Sequence, residues 1–240
     1  MRLAWVSPLP PARTGIADYS VELVGALAGR ADLSLFAPVP AESSSLVGIS
    51  AHPLEALPAQ VSRFDQIVYH LGNNHYHVDI YDLALRLPGV VVLHDYILHH
   101  MVARCTVAAG DLEGYIWHLA YERGPAGVGT ALRRRYGAFS EMEQFLDPLN
   151  RVVLDRSRGV IVHNRWSAER IRESHPALPV CWIPQHLAPS PGIVREEARR
   201  QLGFAPDQVV VASFGFIARY KRVDSLLAAW ATLCREHPEV

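Results

Sequence analysis

The sequence predicts an α/β protein, a parallel sheet covered by helices on both faces, and three observations carry that prediction. Short runs of branched apolar residues such as Val90-Val-Val-Leu93 show no alternation of polar and apolar positions, so both faces of such a strand need cover, as in a parallel sheet. Segments with helical spacing lie between these runs, so that strand and helix alternate along most of the chain. The run after Pro88-Gly89 stops on His94 and Asp95, which puts a titratable ring at a strand's carboxyl end, the edge where open α/β sheets bind ligands.

The elements follow in order. Leu3 to Val6 reads as the first strand. The proline-rich loop from Ser7 to Gly15 then enters a helix on which Ile16, Tyr19, Leu23 and Leu27 recur at helical spacing, with Gly29 ending it. Leu33 to Phe36 and Ile67 to His70 are the next strands, separated by a Ser-, Pro- and Ala-containing stretch that is partly loop. After Gly72-Asn-Asn74 comes a helix over Val78 to Leu87, with Ile80, Leu83, Ala84 and Leu87 on one face, leading into the His94 strand. Asp95 is placed as the N-cap of an apolar-rich helix from Tyr96 to Val107, and residues 96 to 157 are mostly helical. Val160 to Val162 is a strand ending on His163 and Asn164, a helix runs through Ala168 to Ser174, and Val180 to Ile183 closes the series.

Pro184 to Pro191 is a linker by composition, and Val194 to Leu202 a charged helix stopped by Gly203. Val209 to Phe214 is expected to be a fresh strand and Gly215 to Arg222 a loop; Val223, Leu226, Leu227, Trp230 and Leu233 make one amphipathic helical face. One strand and one helix cannot bury that face, so residues 205–240 are expected to open a second α/β domain whose remainder lies outside the chain. The division is thus 1–186, a linker with its charged helix over 187–204, and 205–240. No repeat of solenoid length occurs.

Composition narrows the function. A formal net charge of -1 over 240 residues offers no electrostatic footprint for nucleic acid. Cys105, Cys181 and Cys234 are odd in number, widely spaced and without a Cys-x-x-Cys pair, which supports neither a disulfide framework nor a thiolate zinc site and suits a reducing compartment. The first residues meet prolines before any signal-like apolar region, and no run of about 18 apolar residues occurs, so a cytoplasmic location is expected.

The sites that carry chemistry are few. Gly15 closes a strand-to-helix loop, where open backbone and a helix N-terminus suit a phosphate or a sugar hydroxyl; a plain turn glycine is the other reading. Six of the 12 histidines fall between His70 and His100, and His75-Tyr-His77 with His94 imitates a metal hydrolase site. For His99 and His100, on a helix, packing is the expected role. The loop holding Arg219, Lys221 and Arg222 precedes a helix and suits a phosphate. Lys221 is the only lysine among 23 basic residues. At about 4 Å and an effective dielectric near 20 its attraction for one phosphate charge is on the order of 4 kcal/mol, against ~0.3–1 from a helix dipole. Arg133-Arg134-Arg135 reads first as a solvated helix face, and otherwise as a contact for an anionic acceptor or a peripheral membrane surface.

In order and spacing, Pro10-Pro-Ala-Arg-Thr-Gly-Ile-Ala-Asp-Tyr-Ser20, Gly72-Asn-Asn-His-Tyr-His77, Val91-Val-Leu-His-Asp95, Val160-Ile-Val-His-Asn164, Ile183-Pro-Gln-His186 and Ser213 to Asp224 resemble the family 4 glycosyltransferases of the GT-B fold. The resemblance implies two Rossmann-like domains, the first mainly for the acceptor and the second for a nucleotide-sugar donor. It also implies sugar transfer with retention to an acceptor hydroxyl, with no metal or other cofactor required. On these residues Gly15 would lie beside the donor diphosphate, His94 would contact the transferred sugar as the catalytic group, and Lys221 would hold the diphosphate. Asn74, His75 and His163 fall on the acceptor or sugar side, and Arg219 or Arg222 substitutes for the family's arginine, whose place Phe216 takes. The family's later pair of glutamates seven residues apart has no counterpart, since only Glu236 and Glu239 follow Lys221, so little activity is expected of this chain alone. The acceptor stays open among a glycan, a lipid-linked molecule and a small molecule. Two other readings remain: a metal-dependent hydrolase using His75, His77 and His94, and a non-catalytic binding module of the same fold.

Overall fold

A computed structural model describes residues 1–38, 45–140, 142–186, 192–215, 217 and 221–237. The chain divides into two compact units, Met1–Leu187 and Ala188–Val240.

The first unit is built on one sheet. Its strands are β1 (Arg2–Val6), β2 (Asp32–Ala37), β3 (Ser45–Leu46), β4 (Ile49–Pro53), β5 (Gln66–Leu71), β6 (Val90–Leu93), β7 (Gly159–Val162) and β8 (Val180–Trp182). Their spatial order is β3-β4-β2-β1-β5-β6-β7-β8, and all pairs are parallel except β3 with β4 at the edge. The seven parallel strands form a Rossmann-like sheet whose order reverses between β1 and β5. The short edge pair β3 and β4, unlike the other strands, has no counterpart in the sequence reading, which left this stretch partly as loop. Its register pairs only Ser45 with Ser50 and Leu46 with Ile49, too short to leave a periodic signal.

Both faces of the central strands are buried, as the branched run of β6 requires, whereas β4 and β8 are largely exposed. Along β1, Leu3 and Trp5 join one apolar cluster with Leu33, Leu35 and Val24, whereas Ala4 and Val6 join the larger cluster on the other face with Tyr69, Val91 and Ile80. Each fully buried valine, leucine or isoleucine among them contributes about 1.5–3 kcal/mol by leaving water. Helix α1 (Gly15–Leu27) covers the first face through Ala17, Tyr19, Ser20 and Val24, with Leu23 and Leu27 packed partly buried against the same cluster. Thr14 caps it, its Oγ1 accepting from the Ile16 N–H. Helix α2 (Val78–Arg86) lies on the second face through Ile80, Leu83 and Ala84, as its spacing predicts.

Between β6 and β7 stands a helical block: α3 (His99–Cys105), α4 (Leu112–Arg123), α5 (Pro125–Arg135), α6 (Glu143–Leu146) and α7 (Arg151–Arg156). Helices α4 and α5 approach so closely that a Cβ on Gly127 would overlap the Leu119 carbonyl oxygen. His99 anchors the block: its Nδ1–H donates to the Asp147 carbonyl (2.7 Å), so its Nε2 accepts from the Tyr115 hydroxyl (2.7 Å), and packing is indeed its role. The arginine triplet is only partly a solvated face. Arg134 donates to Tyr115 Oη (3.2 Å) and lies 4.2 Å from the Phe139 ring centroid, and Arg133 pairs with Glu143. Helix α8 (Arg165–Ser174) then joins β7 to β8.

The second unit contains α9 (Arg195–Leu202), ended by Gly203 in the left-handed region (φ 77°), and α10 (Val223–Glu236). The strand expected over Val209 to Phe214 is absent: Val209, Val210, Val211 and Phe214 are exposed and in no ladder. An apolar run becomes a strand only against another edge, and among the described residues of this unit none offers one. Leu226, Leu227 and Leu233 on α10 are likewise exposed. Among the described residues no helix is long and apolar enough to cross a membrane.

Candidate functional site

The carboxyl ends of the parallel strands carry one chemical motif repeatedly. His70 is the penultimate residue of β5, His94 directly follows β6, His163 directly follows β7, and His186 lies four residues past β8. Each apolar run buries itself in the sheet, and the histidine that stops it sits at the open edge. The His94 N–H still donates to the Leu71 carbonyl (2.9 Å), so the ladder runs one step past the strand and holds the ring at the edge.

Tyr19 gathers these rings. Its centroid lies 4.8 Å from that of His94, 5.3 Å from His163, 4.6 Å from His186 and 5.7 Å from His70. The hydroxyls of Ser7 and Ser20 lie 2.8 Å apart and the Trp5 indole N–H donates to Ser20 Oγ (3.4 Å), which ties α1 to the end of β1. His94 and His163 face each other at 4.8 Å, and His94 Nε2 lies 3.1 Å from His70 Nδ1. His186 Nε2 lies 2.8 Å from Glu22 Oε2. The cluster therefore sits beside the β1/β5 reversal, where open α/β sheets form their ligand crevice.

His70, His77 and His94 are held uncharged. Burial, reinforced by the neighbouring His163 and His77, pushes His94 down to about 3. Burial puts His77 at about 4 and holds His70 well below the usual imidazole range. A neutral imidazole offers one donor and one acceptor, which matches hydroxyl groups and gives no net charge for an anion.

Other expected site residues have different surroundings. Gly15 is the first residue of α1 and exposed, and a Cβ there would meet nothing within 4 Å, so the helix end is open to a ligand. Asn74 caps the short turn His75–His77, its Oδ1 accepting from the Tyr76 N–H (3.0 Å). His75 is exposed and stacks on Tyr76 at 4.1 Å, outside the histidine cluster. His77 is buried, with Nδ1–H donating to the His70 carbonyl (2.9 Å). Hence His75, His77 and His94 do not converge on one point, and among the described residues no group of three His, Cys, Asp or Glu side chains is placed to hold a metal ion. Asp95 does not cap α3, which starts only at His99. It accepts the Asn73 N–H (2.8 Å), and Asn73 Oδ1 in turn accepts the Met101 N–H (3.0 Å), because the chain spends residues 95–98 crossing to Asn73 before the helix begins. In the second unit Lys221 and Arg222 immediately precede α10, and Arg222 donates to Ser225 Oγ. Arg219 and Phe216 lie outside the described residues.

Sequence reasoning passed over Tyr19, His70 and Gly72 as site residues. His70 bears the same signal as His94, an apolar run stopping on histidine. Gly72 is dictated by crowding, since a Cβ would sit 2.9 Å from His77 Nε2 and 3.3 Å from Asp95 Oδ2. A separate hollow of about 370 Å³, beside Arg2, Asp32, His52, Gln60 and Arg63, contains none of the clustered histidines, and Arg2 there is paired with Asp65.

Among solved structures the chain is similar to apo UGT2 of Phytolacca americana, at 12% identity and a TM-score of 0.40, with 86% of this chain and 55% of that one covered. The chain thus spans about half the length of that structure. At that identity and score the likeness bears on neither activity nor substrate. No protein-family profile and no curated protein matches the sequence.

Proposed function

We propose that the protein takes part in glycosyl transfer of the family 4 type, moving a sugar with retention from a nucleotide-diphosphate donor to an acceptor hydroxyl. The observation that carries this reading is the convergence of His70, His94, His163 and His186 around Tyr19, at the edge where the order of the sheet reverses. The sequence segments of the first unit that resemble the family all fall at this edge: the Gly15 segment after β1, Gly72 to His77 after β5, His94-Asp95 after β6, His163-Asn164 after β7 and His186 after β8.

In this reading the neutral ring of His94 binds sugar hydroxyls nearest the reacting carbon, with His163 and His186 beside it, and Gly15 leaves room at the start of α1 for the donor diphosphate. Lys221, Arg222 and Arg219 supply the positive charge that stabilises the departing diphosphate, an electrostatic and positional form of catalysis. Asn74 and His75 border the acceptor side, and neither a metal nor another cofactor takes part.

The test is a transfer assay with a panel of nucleotide sugars, reading released nucleoside diphosphate and the anomeric configuration of the product. His94→Ala should lower turnover about a hundredfold or more with little change in melting temperature. Near wild-type turnover by His94→Ala, or inversion at the anomeric carbon, refutes the reading.

A further inference from the structure

We infer that His70 is a positioning residue: it donates its Nδ1–H to His94 Nε2 and thereby fixes the His94 proton on Nδ1, the nitrogen left facing the open edge of the sheet. The use of that proton in sugar transfer rests on the function proposed above, but its placement does not.

The argument is an allocation of protons among the clustered rings. His77 Nδ1 lies against the His70 carbonyl and His163 Nδ1 against the Ile183 carbonyl (3.0 Å). A carbonyl only accepts, so both rings carry their proton on Nδ1 and leave Nε2 as a bare lone pair. Both of those Nε2 atoms are buried without a partner. The site therefore tolerates buried lone pairs.

For the His70–His94 pair two arrangements fit the 3.1 Å distance. If His94 donated from Nε2, His70 would have to accept at Nδ1 and carry its own proton on Nε2. That atom is buried and has no partner, so an N–H would be orphaned. Trp5 offers it no substitute: the two rings stack 4.2 Å apart at 34°, and an in-plane N–H does not aim at the indole face. If His70 donates instead, its Nε2 becomes a third bare lone pair, like those of His77 and His163. Both arrangements leave the His70 Nε2 without a partner, so they differ only in whether it is buried as an N–H or as a lone pair, and buried orphan donors are the rarer of the two. His94 then holds its proton on Nδ1, which bonds to none of the described residues and is not sealed from solvent.

Chemically, this makes His94 a donor toward a bound ligand and leaves it no lone pair there. His94 in this state offers a hydrogen bond to a ligand oxygen; it does not accept a proton from an acceptor hydroxyl at that atom.

The experiment is long-range 1H–15N correlation on the full chain labelled with 15N-histidine at pH 7, with the His94 signals assigned from His94→Gln. The expected spectrum has His94 protonated on Nδ1 and bare on Nε2 as its major form. His70→Phe keeps a flat ring against Trp5 but removes the donor, and should move the 15N signal of the bare His94 Nε2 downfield, toward a nitrogen that accepts no hydrogen bond; His70→Asn retains an N–H near the same place and should restore the wild-type shift. A wild-type His94 protonated on Nε2, or a bare-Nε2 15N shift unchanged in a folded His70→Phe, overturns the inference. If His70→Phe does not fold, the wild-type and His70→Asn spectra decide. No sugar enters these measurements, so they stand or fall apart from the transfer assay. Once turnover is measured, His70→Phe should lower kcat with little change in the acceptor KM, and His70→Asn should recover most of it.

Discussion

Acidification should unfold this protein well above the pH at which carboxylates titrate, because three imidazoles are locked into its interior. His70, His77 and His99 are each fully buried. Burial holds His70 well below its ordinary 6.5 and puts His77 and His99 at about 4. In the unfolded chain all three protonate near 6.5, so between pH 6.5 and the folded values the unfolded state binds more protons. Their contribution is therefore fully present above about pH 6.5 and is lost as pH falls toward 4. Between pH 7 and 5.5 each neutral buried ring withdraws a little over about 1 kcal/mol, which comes to about 4 kcal/mol for the three. That is a large share of a typical net stability of about 5–15 kcal/mol. Glu122 opposes the trend, since burial raises its carboxyl, but it is one group and it titrates from a lower ordinary value. The assay is urea unfolding followed by far-UV circular dichroism at pH 7, 6 and 5.5. At an m-value of about 2–3 kcal/mol/M the midpoint should drop by about 1.5–2 M, with about two to three protons taken up per molecule unfolded near pH 6. A midpoint that moves by less than about 0.3 M would mean that these rings are solvated or already charged in the native state.

Other substitutions test particular features. Gly127→Ala should cost about 1–3 kcal/mol in the same urea assay, because the new Cβ overlaps the Leu119 carbonyl between α4 and α5; an unchanged midpoint would contradict that close approach. Gly15→Ala should leave stability equal or raise it by up to about 1 kcal/mol, since its Cβ enters open space at the start of a helix, yet weaken binding of a nucleoside diphosphate measured by calorimetry. Unaltered diphosphate affinity would remove Gly15 from the donor site. Lys221→Ala should lower diphosphate affinity and turnover strongly and Lys221→Arg should recover only part, because a planar fork does not reproduce a compact ammonium; full activity of Lys221→Arg would make the lone lysine an accident of composition. Treatment with a chelator followed by assay in metal-free buffer should leave transfer unchanged, and loss of activity that zinc alone restores would revive a hydrolytic site.

Several things about this protein are legible in its sequence because they are local. Short apolar runs between helical segments mark β1, β2, β5, β6, β7 and β8 as strands, and the unalternating Val90 to Leu93 demands burial on both faces. Helical spacing found α2 and α10, and a histidine at the end of an apolar run marks the ligand edge wherever the strand lies in the sheet. The rest depends on which elements become neighbours. No periodicity encodes the strand order that brings His70, His163 and His186 around Tyr19, or the capture of Asp95 by the Asn73 N–H in place of α3. Val209 to Phe214 has the composition of a strand and is not one, because a strand is completed by the edge beside it. Arg134 has the look of a solvated cation, but its neighbours turn out to be Tyr115 and Phe139. The side on which His94 carries its proton is further still from the sequence: it follows from a buried nitrogen of His70 that has no partner, and only the packed structure decides which nitrogen that is.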